Sequence, residues 1–367
     1  MKKILLLTLP LLAACTRTLF PDPTGPEKMI ALEARLSTAD TLHTLYASYS
    51  LHDDVVPADD LTISCYINGE KKAETTDYEA YTTHANAYRL RADIAPGDIV
   101  RIVAVSPGGA AEAEAEVTAP PAPLLERVEI DGDLSGVGLG KTLLVRIRLK
   151  DTPGERNWFR MQLFRHQETF DVVKEEHLGP ARALAARCGH VTAEVFPQTE
   201  KEPLLNPTAS EPANQWDRDY FLNRHNFFTD ELFTDGSYTL QVRVEATLLL
   251  FPELSGWSNI GEYLDEDLRK WVQYPMVYRT DREMAVWISS LTRTDYLRTR
   301  LWEQNRFSLT GFYFFDQQFS EEMVYPENVK GGIGCVSVRS VSEVRLDLGS
   351  IRFDYDQYNK WRHPDIL

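Results

Sequence analysis

The chain has 367 residues, 43% of them hydrophobic, with 39 Lys and Arg against 55 Asp and Glu and a formal net charge of −16. That length suggests two or three domains. The acidic balance argues against nucleic acid as a partner, because a negative surface repels phosphate backbones; solubility is the plainest reason for the charge.

In chain order, Lys2 and Lys3 come first, followed by an apolar run from Ile4 to Ala14. A bilayer span needs about 20 apolar residues. The shorter run reads as a cleavable leader over 1–14. It ends in Leu12-Ala13-Ala14-Cys15, which resembles the lipobox of bacterial lipoproteins. The expectation is cleavage before Cys15, lipidation of its sulfur and attachment to a membrane; the plainer alternative is a secretory leader with an incidental cysteine. Several acyl chains would hold the protein stably where one would not. Residues 15–27 are rich in Pro and Gly and read as a flexible tether. No acidic run follows Cys15, so the membrane face stays open.

Period-two alternation then dominates. Ile30, Leu32, Ala34 and Leu36 share one face, and Ala113, Ala115 and Val117 alternate with Glu112, Glu114 and Glu116. Asn68-Gly69 and Ala95-Pro96-Gly97-Asp98 supply turns. Residues 28–119 therefore read as an Ig-like β-sandwich. Ala119-Pro120-Pro121-Ala122-Pro123 reads as a stiff linker. The remainder, 124–367, reads as a larger β-rich domain with inserted helices. Its clearest strand alternates Tyr238, Leu240, Val242 and Val244 with Thr239, Gln241, Arg243 and Glu245, and runs on to Leu248. Helices are expected at Pro180 to Arg187, Glu262 to Val272 and Thr294 to Trp302. The second has acids early and Arg269 and Lys270 late, which suits a helix dipole. Residues 198–217 read as an irregular loop.

Three cysteines follow Cys15, an odd number that excludes a complete disulfide framework. Cys65 sits on the apolar side of an alternating strand. Cys188 with Cys335 is a possible pair in an oxidising compartment.

Several motifs bear on chemistry. Asp131-Gly132-Asp133-Leu134-Ser135-Gly136 starts like a calcium loop, but Thr142 stands where a bidentate Glu is needed, so a surface hairpin is favoured. Gly138-Leu139-Gly140-Lys141-Thr142 has Ser135 in place of the first glycine of a phosphate loop, and a strand follows it. Cys188-Gly189-His190 offers two zinc ligands where three or four are needed, and reads as a helix end. No catalytic, metal or cofactor site is expected. Two aromatic clusters stand out. One runs from Trp216 through Tyr220, Phe221, Phe227 and Phe228 to Phe233, the other from Phe307 to Phe319. Most of these rings belong in a core. Trp216, Tyr220 and Phe221, set among Asn214, Gln215, Asp217, Arg218 and Asp219, are the expected ligand- or partner-binding residues.

The order of several short segments resembles a family of Bacteroidota outer-membrane lipoproteins, the domain of unknown function 4249 family. These are Asp151-Thr152-Pro153-Gly154-Glu155-Arg156-Asn157-Trp158-Phe159, Asp230-Glu231-Leu232-Phe233-Thr234-Asp235-Gly236, Ser290 to Leu297, and Tyr325-Pro326-Glu327-Asn328-Val329-Lys330-Gly331-Gly332-Ile333-Gly334. The second is one residue longer than the family's turn, and Asp295-Tyr296 replaces its double tyrosine. The resemblance implies an outer-membrane lipid anchor and an accessory role beside a TonB-dependent transporter in nutrient uptake. It brings no catalytic residues. Asn328 and the glycines after it are expected to form a turn requiring positive φ. The sequence thus points to a non-enzymatic binding lipoprotein. An envelope hydrolase without a recognisable motif, or a structural or adhesive subunit, is the alternative.

Overall fold

The computed structural model describes residues 28–51, 54–80, 86–134, 141–151, 156–179, 184, 186–199, 201–205, 226–252, 260–265, 269–308 and 326–362. The protein is mainly β. The front sandwich uses β1 (Met29–Ser37), β2 (Leu42–Leu51), β3 (Asp54–Pro57), β4 (Thr62–Ile67), β5 (Glu70–Thr75), β6 (Tyr78–Ala80), β7 (Asn86–Arg91), β8 (Ile99–Val105) and β9 (Glu112–Thr118). The rear part uses β10 (Leu124–Asp131), β11 (Thr142–Lys150), β12 (Trp158–Asp171), β13 (Arg187–Val195), β14 (Phe227–Thr229), β15 (Ser237–Glu245), β16 (Ile260–Asp265), β17 (Lys270–Pro275), β18 (Val277–Leu291) and β19 (Ile333–Asp354). Four α-helices accompany them among the described residues: α1 (Val172–Leu178), α2 (Ala246–Leu250), α3 (Arg293–Ser308) and α4 (Tyr355–Arg362).

The alternation seen in sequence is the alternation of burial. Ile30, Leu32, Ala34 and Leu36 are buried in the front core with Ile63, Cys65, Val100 and Ile102. Leu143, Val145 and Ile147 meet Leu240, Val242 and Val244 across the β11–β15 pair in the rear core.

One ten-stranded sheet runs through both parts in the order β13-β12-β18-β19-β1-β2-β7-β6, with β14 and β3 paired beside it. The sheet β5-β4-β8-β9 covers it at the front, and β10-β11-β15 covers it at the rear. The joint is β19. Ile333 to Arg339 run parallel to Ala31 to Ser37, and Ser340 to Asp354 run antiparallel to β18. Val336 and Val338 therefore complete the front core, while Leu348 lies in the rear one. Sequence reading had placed all of 333–339 in the rear region. Pairing partners some 300 residues apart leave no local trace, which is why it did so.

Other expectations change. The helix expected from Glu262 to Val272 is the β16–β17 hairpin, with Tyr263 opposite Val272 and Leu264 opposite Trp271. The charge order that suits a helix dipole is worth a few tenths of a kcal/mol. Trp271, Val272 and Tyr274 favour a pleated pair more strongly. Of the helix expected from Pro180 to Arg187, Leu184 and Ala186 are in 3-10 conformation, but Arg187 already starts β13, so Cys188, Gly189 and His190 lie in a strand; Pro180 to Ala183 and Ala185 fall outside the described residues. The strand through Val244 ends at Glu245, and Ala246 to Leu250 coil into α2. Cys188 and Cys335 are not joined in a disulfide.

Asn328 does not take positive φ; Gly331 and Gly334 do, at 71° and 114°. The Asn328 amide instead imitates a neighbouring strand. Its Nδ2 donates to the Val336 carbonyl at 2.7 Å, and its Oδ1 accepts from the Val336 amide at 2.9 Å. A Cβ on Gly334 would collide with the Leu32 carbonyl, and one on Gly332 with that of Ile30. The glycines let β19 enter hard against β1.

Candidate functional site

A wide concavity lies on the outer face of the front sheet. Alternation sends Leu45, Ala47 and Tyr49 of β2 into the core, so Leu42, Thr44, Tyr46 and Ser48 face outward. Ala31, Glu33 and Arg35 of β1 do the same. Two adjoining hollows of about 670 and 440 Å³ share Glu33, Tyr46 and Arg298. Together they form one groove with a floor of β1 and β2. Volumes of this order suit a small ligand.

The wall is supplied by α3. Thr292 accepts from the Asp295 amide at 3.2 Å through its Oγ1, which caps the first turn. Asp295 in turn accepts from Thr299 Oγ1 at 3.1 Å. Tyr296 packs on Phe227 with ring centres 5.7 Å apart. The helix so held delivers Arg298 to β1, where its Nη2 and Nε donate to the Glu33 carboxylate at 2.7 and 3.4 Å. Nη1 donates to the Pro326 carbonyl at 3.1 Å. The two side chains are only 18% and 35% exposed, so this two-pronged bond is stronger than an ordinary surface pair.

Cys335 lies across from Glu33 in the β1–β19 register. Burial pushes its thiol up to about 12, with the negative charges of Glu33 and Asp295 adding to the rise and Arg298 opposing it. It is no nucleophile at neutral pH. His43 is buried, and its Nε2 lies 2.9 Å from the Ala92 carbonyl, which ties it into the fold.

Tyr46 is 45% exposed and Leu42 44%, while Val55 of β3, on the same groove, is 67% exposed. Exposed apolar side chains gathered at one concavity mark an interaction site more clearly than scattered ones. Other exposed rings are Phe196 at 56% and Trp271 at 65%, the latter on the β16–β17 hairpin, which pairs with no other sheet among the described residues.

Of the residues expected from sequence, Cys15, Trp216, Tyr220 and Phe221 lie outside the described residues. So do the rings at 312–319. Their neighbours Phe227 and Phe228 are core residues, and Phe228 and Phe233 both stack on Phe159. Asp131 and Asp133 face Arg146 and Lys141 at 3.2 and 3.0 Å, which is surface ion pairing. His190 is exposed and lies 3.6 Å from Glu168. No cluster of metal-binding side chains occurs among the described residues, and no helix among them is long and apolar enough to cross a membrane.

The groove itself escaped sequence reading. Tyr46 carried a usable signal, an aromatic residue between Thr44 and Ser48 on the outward face of an alternating strand. The meeting of Glu33 with Arg298 did not, because 265 positions separate them.

No protein-family model and no curated protein matches the chain. Among solved structures, it is similar to a Parabacteroides merdae β-glucuronidase at 10% identity and a TM-score of 0.19, over 72% of this chain and 23% of that one. It is also similar to a variant of Salmonella alpha-2-macroglobulin at 10% identity and a TM-score of 0.21, over 92% of this chain and 22% of that one. The chain thus spans less than a quarter of either protein, and likenesses this slight carry no argument about function.

Proposed function

We propose that this chain is a lipid-anchored protein of the bacterial outer membrane that binds a ligand in the front-sheet groove without transforming it, beside a TonB-dependent transporter. The observation that carries the binding role is the open groove over β1 and β2, where Tyr46, Leu42 and Val55 stay exposed beside a fixed Arg298–Glu33 pair. Its polar groups fit holding rather than bond chemistry: Glu33 is neutralised by Arg298, and the His43 ring is tied to a backbone carbonyl. The anchor rests on Leu12-Ala13-Ala14-Cys15, and the transporter on the family resemblance.

Cys15→Ala should move the protein from the membrane fraction to the soluble fraction and abolish labelling by a clickable palmitate analogue. Retention in the membrane, or undiminished label, would remove the anchor. Mild detergent extraction of a carboxyl-terminally tagged chain should recover an outer-membrane transporter. Recovery of none would remove that partner while leaving the groove untouched.

A further inference from the structure

We propose that the ligand of this groove is a neutral oligosaccharide, stacked on Tyr46 and hydrogen-bonded by the polar side chains around it. The proposal rests on the reading of the groove as the binding site and names the chemistry of its occupant.

The first support is the floor. Both edges of β1 are taken, by β19 and β2; β2 is flanked by β1 on one side and by β7 and β3 on the other. An extended peptide therefore has no open edge on β1 or β2, the strands of the floor, so addition to these two strands is closed to it. Recognition must come from side chains facing up from a pleated surface.

The second support is which side chains these are. Tyr46 is cross-strand to Glu33, and Thr44 and Ser48 flank it in the same row, each about 7 Å away along the strand. A half-exposed phenol ring between two hydroxyls presents a flat apolar surface with hydrogen-bonding groups at its margins. A pyranose ring presents the converse, an apolar C–H face with hydroxyls around its rim. Leu42 and Val55 extend the apolar path to either side, which suits more than one sugar unit.

The third support is charge. The groove brings together Glu33, Asp40 and Glu327 with Arg35 and Arg298. Opposite signs are nearly balanced, and Arg298 already holds Glu33 and the Pro326 carbonyl. An anionic ligand would meet the exposed Asp40 and Glu327 carboxylates, and a cationic one the exposed Arg35 guanidinium. A neutral ligand rich in donors and acceptors meets neither obstacle.

The test is calorimetric titration of the full-length lipoprotein in detergent. The probes are gluco-, manno-, xylo- and N-acetylglucosamine oligosaccharides of two to six units, with neutral pentapeptides for comparison. One or more sugars should bind, and Tyr46→Ala should weaken binding about tenfold or more, the scale of one lost aromatic contact. Tyr46→Phe should stay close to wild type, because the ring face rather than the hydroxyl does the stacking. Thermal melting of each variant checks the fold. Sugar binding that ignores Tyr46→Ala would overturn the proposal by placing the site elsewhere. Tyr46-dependent peptide binding without sugar binding would overturn the sugar chemistry and keep the groove. Binding of neither probe would overturn both readings.

Discussion

Burial decides the chemistry of the cysteines beyond Cys15. Cys65 is buried in the front core and its thiol is pushed up to about 11 by desolvation. Cys188 is pushed up to about 11, mainly by burial, and Cys335 to about 12. Only the thiolate attacks an electrophile. At pH 8 the folded protein should therefore react with iodoacetamide about two orders of magnitude more slowly than a free cysteine. Peptide mass spectrometry before and after denaturation measures this; rapid alkylation of Cys65 or Cys335 in the native state would contradict it. The same shifts fix a pH dependence. A thiol that stays neutral in the fold but ionises in the unfolded chain contributes stability in full below the unfolded value of about 8.5. That contribution fades as pH rises toward the folded values. Tyr88, buried and pushed up to about 12, acts the same way from about pH 10. The melting temperature should fall as pH rises from 9 toward 12, and a flat profile there would count against this account. Burial of Cys65 was legible in the sequence because its strand alternates. That of Cys335 was not, because α3 and β1, which enclose it, come from elsewhere in the chain.

Elements show a similar divide between local and distant causes. The strands with clean alternation, such as β1 and β9, appear where the sequence places them, as does α3. The charge order of the β16–β17 segment favours a helix, and its aromatic and β-branched residues outweigh it in favour of a hairpin. The front half of β19 was misplaced because its partner, β1, lies at the other end of the chain. What the sequence did carry was the glycine run before it, though the cause is close approach as much as positive φ. That distinction can be measured. Gly334 has φ of 114° and no room for a Cβ, whereas Gly349 has φ of 76° and open space around it. Gly349→Ala should cost only the backbone term of about 1 kcal/mol. Gly334→Ala adds a collision with the Leu32 carbonyl and should cost clearly more than 2 kcal/mol, the range of overpacked or strained sites. Equal losses in denaturant unfolding would mean that close approach plays no part.

The whole molecule is two sandwiches with a strand in common, and this bears on how it unfolds. A chain reading as Ig-like domain, proline-rich linker and second domain suggests two units that melt separately. Against that, β19 holds Val336 and Val338 in one core and Leu348 in the other. Each such side chain contributes roughly 1.5–3 kcal/mol when fully buried. Releasing β19 strips β1 of the strand on one of its two edges and separates β18 from its partner in the same event. The Arg298–Glu33 bond adds a second tie between α3 and β1, and Ser340 and Ser342 hold the linker itself through the carbonyls of Pro120 and Pro123, each at 2.5 Å. With these links crossing the boundary, neither sandwich should keep its core when the other opens. Scanning calorimetry should show a single transition whose van't Hoff and calorimetric enthalpies agree. Two resolved peaks would mean that β19 is shared in geometry but not in energy, and a front fragment ending at residue 120 would then fold unaided. With the coupling intact, that fragment should stay unfolded until the strand from Ile333 to Arg339 is restored to it through a flexible linker.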